Sequence, residues 1–124
     1  MMQTKPVWLP EVQEFRRQLH QHPELSGAEK QTALRALEKL KHLQPSQIFT
    51  GLGGNGIAAV FDSGRSGPTL LFRTELDALP IEEVNTFAYR STNPGVSHKC
   101  GHDGHMAVMI GFAHYLQSHP PSRG

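Results

Sequence analysis

The 124-residue sequence predicts an α/β fold, and two kinds of pattern lead to that prediction. Apolar residues recur every three to four positions in two stretches before residue 45 and in one after residue 100, which indicates amphipathic helices. Between them lie short apolar runs separated by glycine-rich and proline-containing turns, a pattern typical of strands. The predicted order is therefore helix, helix, strands, helix, within one domain or a part of one.

The first two helices have recognisable starts and ends. Pro10 occupies a position that a first helical turn tolerates, the first helix is predicted over residues 10–20, and His22-Pro23 ends it. Ser26-Gly27-Ala28-Glu29 has the spacing of a capping box, in which the Ser hydroxyl and the Glu carboxylate satisfy free backbone donors. A second helix is predicted from this box to about Leu43.

Three strands and a third helix are predicted in the rest of the chain. Residues 48–50 form a short strand candidate, and residues 57–61 and 69–73 form better ones. Because residues 62–68 are rich in turn formers, the last two are predicted to pair as a hairpin. Apolar residues at helical spacing predict the third helix over residues 105–117.

Composition and charge exclude several functions. Twelve Lys and Arg against 11 Asp and Glu give a net charge of +1 without a basic cluster, so neither nucleic acid nor an anionic membrane is an expected partner. Residues 1–6 lack the apolar run of a signal peptide, and the longest apolar stretch, residues 106–113, is too short to span a bilayer. A single cysteine, Cys100, excludes an internal disulfide and favours a cytoplasmic location.

The string Gly51-Leu52-Gly53-Gly54-Asn55-Gly56 matches the dinucleotide-binding fingerprint letter for letter. That fingerprint works by placing a pyrophosphate at the start of a helix. Residues 57–61, which follow, are strand-like and offer no helix dipole. The string is therefore predicted to be a turn and not a nucleotide site.

The densest group of chemically active side chains surrounds the cysteine, since three of the eight histidines lie at positions 98 to 105. In an extended segment His98, Cys100 and His102 would share one face, and thiolate and imidazole are good zinc ligands. Asp103 would cap the helix that follows. From spacing alone, a buried thiol beside hydrogen-bonded histidines explains the string equally well.

A second group of polar residues, Arg73-Thr74-Glu75-Leu76-Asp77, follows directly from a predicted strand. Asp77 could orient a ligating histidine, and Glu75 could ligate a metal directly. An ordinary solvated acidic loop is the alternative that spacing leaves open.

Taken together, three strings resemble the amidohydrolase branch of the aminoacylase family of metallopeptidases, which includes hippurate hydrolases, N-acyl-amino-acid amidohydrolases and auxin-conjugate hydrolases. The strings are Arg16-Arg17-Gln18-Leu19-His20-Gln21-His22-Pro23-Glu24-Leu25-Ser26, then Leu76-Asp77-Ala78-Leu79-Pro80-Ile81 with Glu83, then His98 with Cys100-Gly101-His102-Asp103-Gly104-His105. They occur in the family's order and cover nearly the whole chain.

The resemblance implies a fold and a metal site. Residues 1–124 would form the N-terminal part of a three-layer α/β/α metallo-exopeptidase catalytic domain with a mixed sheet, without the lid or dimerisation domain. Cys100 and His102 match two ligands of a dinuclear zinc or manganese centre, and Asp77 matches the acidic residue that supports it. His98, Asp103, His105 and Glu83 match motif positions without an assigned role. Glu75 stands where members usually carry aspartate, one methylene shorter.

The implied function is metal-dependent hydrolysis of the amide bond of N-acyl amino acids or short peptides. In the family a glutamate base and further ligands follow the Cys-Gly-His motif, in a stretch that this sequence does not contain. Two alternatives therefore stay open: a non-catalytic remnant that binds metal weakly or docks to another chain, and a thiol hydrolase with Cys100 as nucleophile. Apolar surface left uncovered by the missing part is expected to be exposed and to promote self-association.

Overall fold

A computed structural model describes residues 4–124, so the first three residues considered above for a signal peptide lie outside the described part. The elements are α1 (Leu9–Gln21), α2 (Lys30–His42), β1 (Gln47–Leu52), β2 (Gly56–Val60) and α3 (His102–Ser118). All three helices predicted from the sequence are present, and α3 begins three residues earlier than expected. No helix within residues 4–124 is long and apolar enough to cross a membrane.

The core lies mainly between α1 and α3. Val12, Phe15 and Leu19 recur at spacings of three and four on α1, and Phe15 and Leu19 are completely or almost completely buried. Ala36 contributes one side chain from α2, while Trp8, Leu40, Ile57 and Leu76 pack around the edge of the cluster. The buried cluster consists of Val12, Phe15, Leu19, Ala36, Met106, Ala107 and Ile110. Through Met106, Ala107 and Ile110, the N-terminal half of α3 packs against α1, and Leu76 from the segment before α3 packs against the same cluster.

The predicted capping box at the start of α2 does not form. Glu29 is the residue that precedes the helix, and its carboxylate accepts from the Gly27 amide and the Asn55 side chain. The carboxylate of Glu24 instead accepts from the backbone amides of Gln31 and Thr32. Glu24, which lies outside the helix, thus satisfies free backbone donors of its first turn. The spacing of Ser26 and Glu29 had predicted this role for Ser26, and that prediction is wrong.

Glu24 is therefore expected to stabilise α2 although it lies six residues before the helix. Replacing Glu24 with alanine should lower the free energy of unfolding by about 1 kcal/mol, the usual value of a lost N-terminal cap. Urea unfolding followed by circular dichroism measures the difference. Ser26→Ala is the matched control, and a loss as large in that variant would mean that the capping box forms in solution.

The only sheet within residues 4–124 is an antiparallel hairpin of β1 and β2. It runs from the pair Gln47 and Val60 to the pair Leu52 and Gly56, with an irregular register between Thr50 and Leu52. Gly51 has φ +73°, in the left-handed region that favours glycine. The glycine-rich string is thus the turn predicted from the sequence, and a strand follows it instead of a helix.

The third predicted strand, residues 69–73, is not present, and neither is its hairpin with residues 57–61. Within the described chain, these residues share no backbone hydrogen bond with any other segment. Leu70, Leu71 and Phe72 are 74%, 88% and 57% exposed. A strand requires a neighbouring backbone, and none pairs with this apolar segment within residues 4–124, so the segment lies exposed at the surface without forming a strand.

Candidate metal centre

Two short backbone contacts bring the predicted site segments together. Ala78 forms an isolated parallel bridge with Leu25, and Leu79 forms an antiparallel one with Ser97. The Leu79 and Ser97 amides each donate to the other residue's carbonyl at 3.0 Å. Because Asp77 lies two residues before Leu79 and Cys100 three residues after Ser97, this pairing places the acidic motif against the Cys-Gly-His motif.

Asp77, Cys100 and His102 meet as the sequence predicts. The Nδ1 atom of His102 lies 3.0 Å from the Asp77 carboxylate Oδ1 and 2.9 Å from the Asp77 carbonyl oxygen. The Cys100 thiol points at the same carbonyl, with Sγ 3.7 Å away. Since Nδ1 donates its hydrogen to Asp77, the lone pair on Nε2 of His102 is free to bind a cation.

The backbone conformation between His98 and His102 differs from the extended segment that the sequence predicted. Residues 98–101 form a turn, in which the Gly101 amide approaches the His98 carbonyl, and Gly101 has φ +85°. This left-handed residue redirects the chain into α3 at His102. The three residues His98, Cys100 and His102 are therefore not held in one extended segment.

His98 is buried instead, with 4% of its surface exposed. Neither of its ring nitrogens has a hydrogen-bond partner within the described residues. Burial lowers the pKa of His98 because it disfavours the charged form, and the nearby Asp103 carboxylate opposes that shift. His98 thus lies near His102 and Asp77, whose charges act on it, but it makes no hydrogen bond to either of them within the described residues.

Asp103 is not the cap of α3, because Gly101 precedes the helix and no side chain caps it. The Asp103 carboxylate is fully buried and lies 2.9 Å from Nε of Arg16 and 2.7 Å from Nδ1 of His20. Both partners belong to α1, four residues apart and therefore on the same face. This ionic contact ties α1 to the turn of α3 that carries His102.

Glu83 extends this buried network. Its carboxylate accepts from Nε2 of His20 at 2.8 Å and from Lys99 at 3.1 Å, and its side chain is 2% exposed. Burial by itself raises the pKa of Glu83, but hydrogen bonds from the Ser91 amide and from His20, Asn85 and Lys99 lower it to about 2. His20 thus joins two buried carboxylates, one at each ring nitrogen.

A second group of donors lies on the other side of His102. One ligand atom each from Glu75, His102 and His105 lie within 4.8 Å of one another, and no other set of three such donors is found within residues 4–124. The Glu75 carboxylate Oε2 is 3.2 Å from Nδ1 of His105 and 3.9 Å from Nε2 of His102. The His105 side chain holds the pKa of Glu75 below its usual value.

His105 could have been recognised from the sequence if the start of α3 had been placed correctly. With the helix starting at His102, His105 follows by three residues and lies on the same face. Placing the start at residue 105 removed this relation. For Glu75, spacing in the sequence favoured an ordinary solvated loop and left direct ligation as the alternative.

Nothing in the surroundings of Cys100 favours the thiol hydrolase. Within the described residues, the hydrogen-bond partner of its thiol is the carbonyl oxygen of Asp77, and no imidazole accepts from it. A cysteine nucleophile needs a base within hydrogen-bonding reach.

Comparisons with known proteins agree with the fold and the motifs. The sequence model that describes peptidase family M20/M25/M40 matches residues 71–123 of this chain. N-acyl-L-amino acid amidohydrolase of Geobacillus stearothermophilus is 43% identical over 102 residues, 80% of this chain and 26% of that protein. Hippurate hydrolase of Campylobacter jejuni is 35% identical over 108 residues, 87% of this chain and 28% of that protein.

A solved structure extends the similarity to three dimensions. The crystal structure of the Bacillus subtilis YXEP protein, described as a dinuclear metal binding peptidase from the M20 family, matches with a TM-score of 0.86 and 33% identity. The match covers 93% of this chain and 32% of that one. The predicted α/β fold class, as the N-terminal part of a larger α/β fold, is thereby confirmed. The predicted mixed sheet is not seen within residues 4–124, where the sheet is the antiparallel hairpin of β1 and β2. The chain spans between a quarter and a third of the length of these relatives.

Proposed function

Because this chain belongs to peptidase family M20/M25/M40 and corresponds to its N-terminal portion, we propose that it carries part of a metal centre for amide hydrolysis. The substrates in this proposal are N-acyl amino acids or short peptides, the class to which the relatives' names point. Cys100 and His102 are metal ligands, and Asp77 positions His102. The observation that carries the proposal is the contact of Asp77 with Nδ1 of His102.

The donor set fits a divalent transition metal. The Asp77 carboxylate contacts Nδ1 of His102 and leaves Nε2 as the nitrogen for an ion, an arrangement that recurs at histidine-ligated metals. Thiolate and imidazole favour zinc over manganese, so zinc is the first of the two proposed ions. When bound, such an ion polarises an amide carbonyl and activates water for attack.

No carboxylate within residues 4–124 is placed to act as the general base. Glu83 is buried and engaged by His20 and Lys99, and Glu82 accepts from the Gly95 amide. Glu75 faces the two histidines and carries the negative charge that a ligand needs. A positioned base contributes about 10²–10⁴-fold to the rate, so the chain by itself is expected to turn over substrate poorly.

A chimera tests the proposal. The aligned part of the Geobacillus amidohydrolase is replaced by this chain, and hydrolysis of N-acetyl and N-benzoyl amino acids is measured with added zinc or manganese. We expect metal-dependent hydrolysis that Cys100→Ser and His102→Ala each reduce to background. His119→Ala, at the exposed residue directly after α3, should leave hydrolysis unchanged. The isolated chain should show no turnover above that of its Cys100→Ser variant.

The open alternatives have their own outcomes. If the folded chimera binds metal but does not hydrolyse, the chain is a non-catalytic remnant in this family. Metal-free hydrolysis that alkylation of Cys100 abolishes would identify a thiol enzyme. The single cysteine favours a reducing compartment, and we include a cytoplasmic location in the proposal on that ground.

A further inference from the structure

One imidazole of α1, that of His20, is connected to both sides of the proposed ligand pair. Resting on the proposed roles of Cys100 and His102 as metal ligands, we infer that His20 is a positioning residue for this pair. Its ring links two buried carboxylates, Asp103 and Glu83, and each of these is connected to the chain beside one ligand. His20 thereby holds the two ligands at a fixed separation without binding the ion itself.

The first link runs from His20 to the start of α3. Nδ1 of His20 lies 2.7 Å from the Asp103 carboxylate Oδ2, and the Asp103 side chain is fully buried. Asp103 follows His102 directly in the first turn of α3. Arg16, four residues before His20 on the same face of α1, contacts the same carboxylate oxygen at 2.9 Å. This link therefore holds the helical turn that carries His102 against α1.

The second link runs from His20 to the residue that precedes Cys100. Nε2 of His20 lies 2.8 Å from the Glu83 carboxylate Oε1, and Lys99 donates to the same oxygen at 3.1 Å. The Glu83 carboxylate is itself held in place, because the Ser91 amide donates to its other oxygen. Since Cys100 follows Lys99 directly, this link restrains the backbone from which the thiol extends.

The two links meet only at His20. Among residues 4–124, its side chain alone makes a hydrogen bond or an ion pair to both carboxylates, because Arg16 reaches only Asp103 and Lys99 reaches only Glu83. Without His20, the two parts of the network could move independently of each other. A metal ion binds tightly only where its ligands are held close to the geometry that it requires. Loss of the connection should therefore weaken metal binding.

Metal binding by the full chain tests this inference, with asparagine and glutamine in place of His20. The amide nitrogen of His20→Asn stands near the position of Nδ1 and can still donate to Asp103, whereas that of His20→Gln stands near Nε2 and can still donate to Glu83. Each variant thus keeps one link and loses the other. Calorimetry measures zinc affinity, and the thiolate-to-metal charge-transfer absorption of the cobalt-loaded protein reports whether Cys100 binds the ion.

Wild type should bind one zinc ion per chain and should show the cobalt–thiolate absorption. Both His20 variants should bind zinc at least about tenfold more weakly, the usual effect of removing a group that orients metal ligands, and should need more cobalt to develop the absorption. Lys99→Met breaks the second link at a side chain that is 29% exposed, so it should fold and should also weaken binding. The matched controls are His42→Gln on the exposed side of α2 and Val12→Ala, which destabilises the core of α1 without touching the network. Both should bind zinc like wild type.

Thermal melts of the metal-free variants verify that they fold. The inference is wrong if either folded His20 variant binds zinc with wild-type affinity, because one link would then suffice. It is also wrong if Val12→Ala weakens binding as much as they do, because a general loss of stability would then explain the effect. If a His20 variant does not fold, wild-type affinity in Lys99→Met overturns the inference.

Failure of the proposed function has a different signature. If Cys100→Ser and His102→Ala bind zinc and cobalt like wild type, the ligand pair is wrong, and the positioning role of His20 fails with it. If those two variants lose the metal while both folded His20 variants keep wild-type affinity, the ligand pair stands and only the role of His20 fails.

Discussion

Replacing Asp103 with alanine should lower the free energy of unfolding by about 3–5 kcal/mol, the cost of removing one partner from a buried ion pair. The Asp103 side chain is fully buried and joins Arg16 and His20, so its loss leaves the Arg16 guanidinium and a ring nitrogen of the buried His20 without their carboxylate. Alanine itself favours helix formation, so the substitution adds no helix penalty. Urea unfolding at pH 7 with a chelator present measures the change without a contribution from metal.

The control for this prediction is an ion pair that water reaches. Lys39 and Glu11 approach within 2.9 Å, but their side chains are 29% and 51% exposed. Glu11→Ala should therefore cost no more than about 1 kcal/mol. If Asp103→Ala costs no more than the surface variant, the buried network contributes nothing to the stability of this fold.

Stability should also fall when acid protonates Glu83. In the folded chain the pKa of Glu83 is about 2, against an ordinary value of 4.5. The unfolded chain takes up this proton more readily, so the contribution is complete above about pH 4.5 and disappears as the pH falls towards 2. The difference between the two pKa values corresponds to about 3 kcal/mol. Free energies of unfolding between pH 2 and pH 6 measure it.

Glu83→Gln is the informative variant, because it keeps the shape of the side chain and removes its titration. Its free energy of unfolding should change less between pH 5 and pH 2 than that of wild type. Glu11→Gln removes a carboxylate of lowered pKa from the surface, where solvent screens its interactions. This variant should leave the dependence of the free energy of unfolding on pH almost unchanged. If the free energy of unfolding of Glu83→Gln falls with pH as steeply as that of wild type, other carboxylates cause the acid sensitivity.

The two stability predictions concern the same network, which also borders the proposed metal ligands Cys100 and His102. Asp103 follows His102 directly and connects it to α1 through Arg16 and His20. Glu83 continues the connection to Lys99, one residue before Cys100. The network therefore holds both proposed ligands in place from one side, while Asp77 contacts them from the other.

Local pattern was sufficient for the helices and for the turn at Gly51. Helical periodicity depends on neighbours within one or two turns, so Val12, Phe15 and Leu19 identify α1 without knowledge of the fold. The association of Asp77 with His102 followed from a family motif. Each of these features is encoded in a short stretch of sequence, either as a hydrophobic period or as a motif that resembles the motif of a known family.

Tertiary structure decided the features that depend on a partner distant in sequence. Residues 69–73 have the composition of a strand, but no described segment pairs with them. Glu24 took the capping role expected of Ser26, because Thr32 lies within reach of its carboxylate. Asp103 turned to α1 instead of capping α3, since Arg16 and His20 face it there.

The surroundings of His102 show the same division. The sequence by itself pointed to Cys100 and His102 as the candidate site. Which side chains surround each face of the His102 ring was decided by the pairing of Leu79 with Ser97 and by the left-handed turn at Gly101. These two features bring Asp77 to Nδ1 and Glu75 towards Nε2, 25 and 27 positions earlier in the chain. Spacing in sequence does not specify such contacts, because they depend on where the intervening backbone is bound.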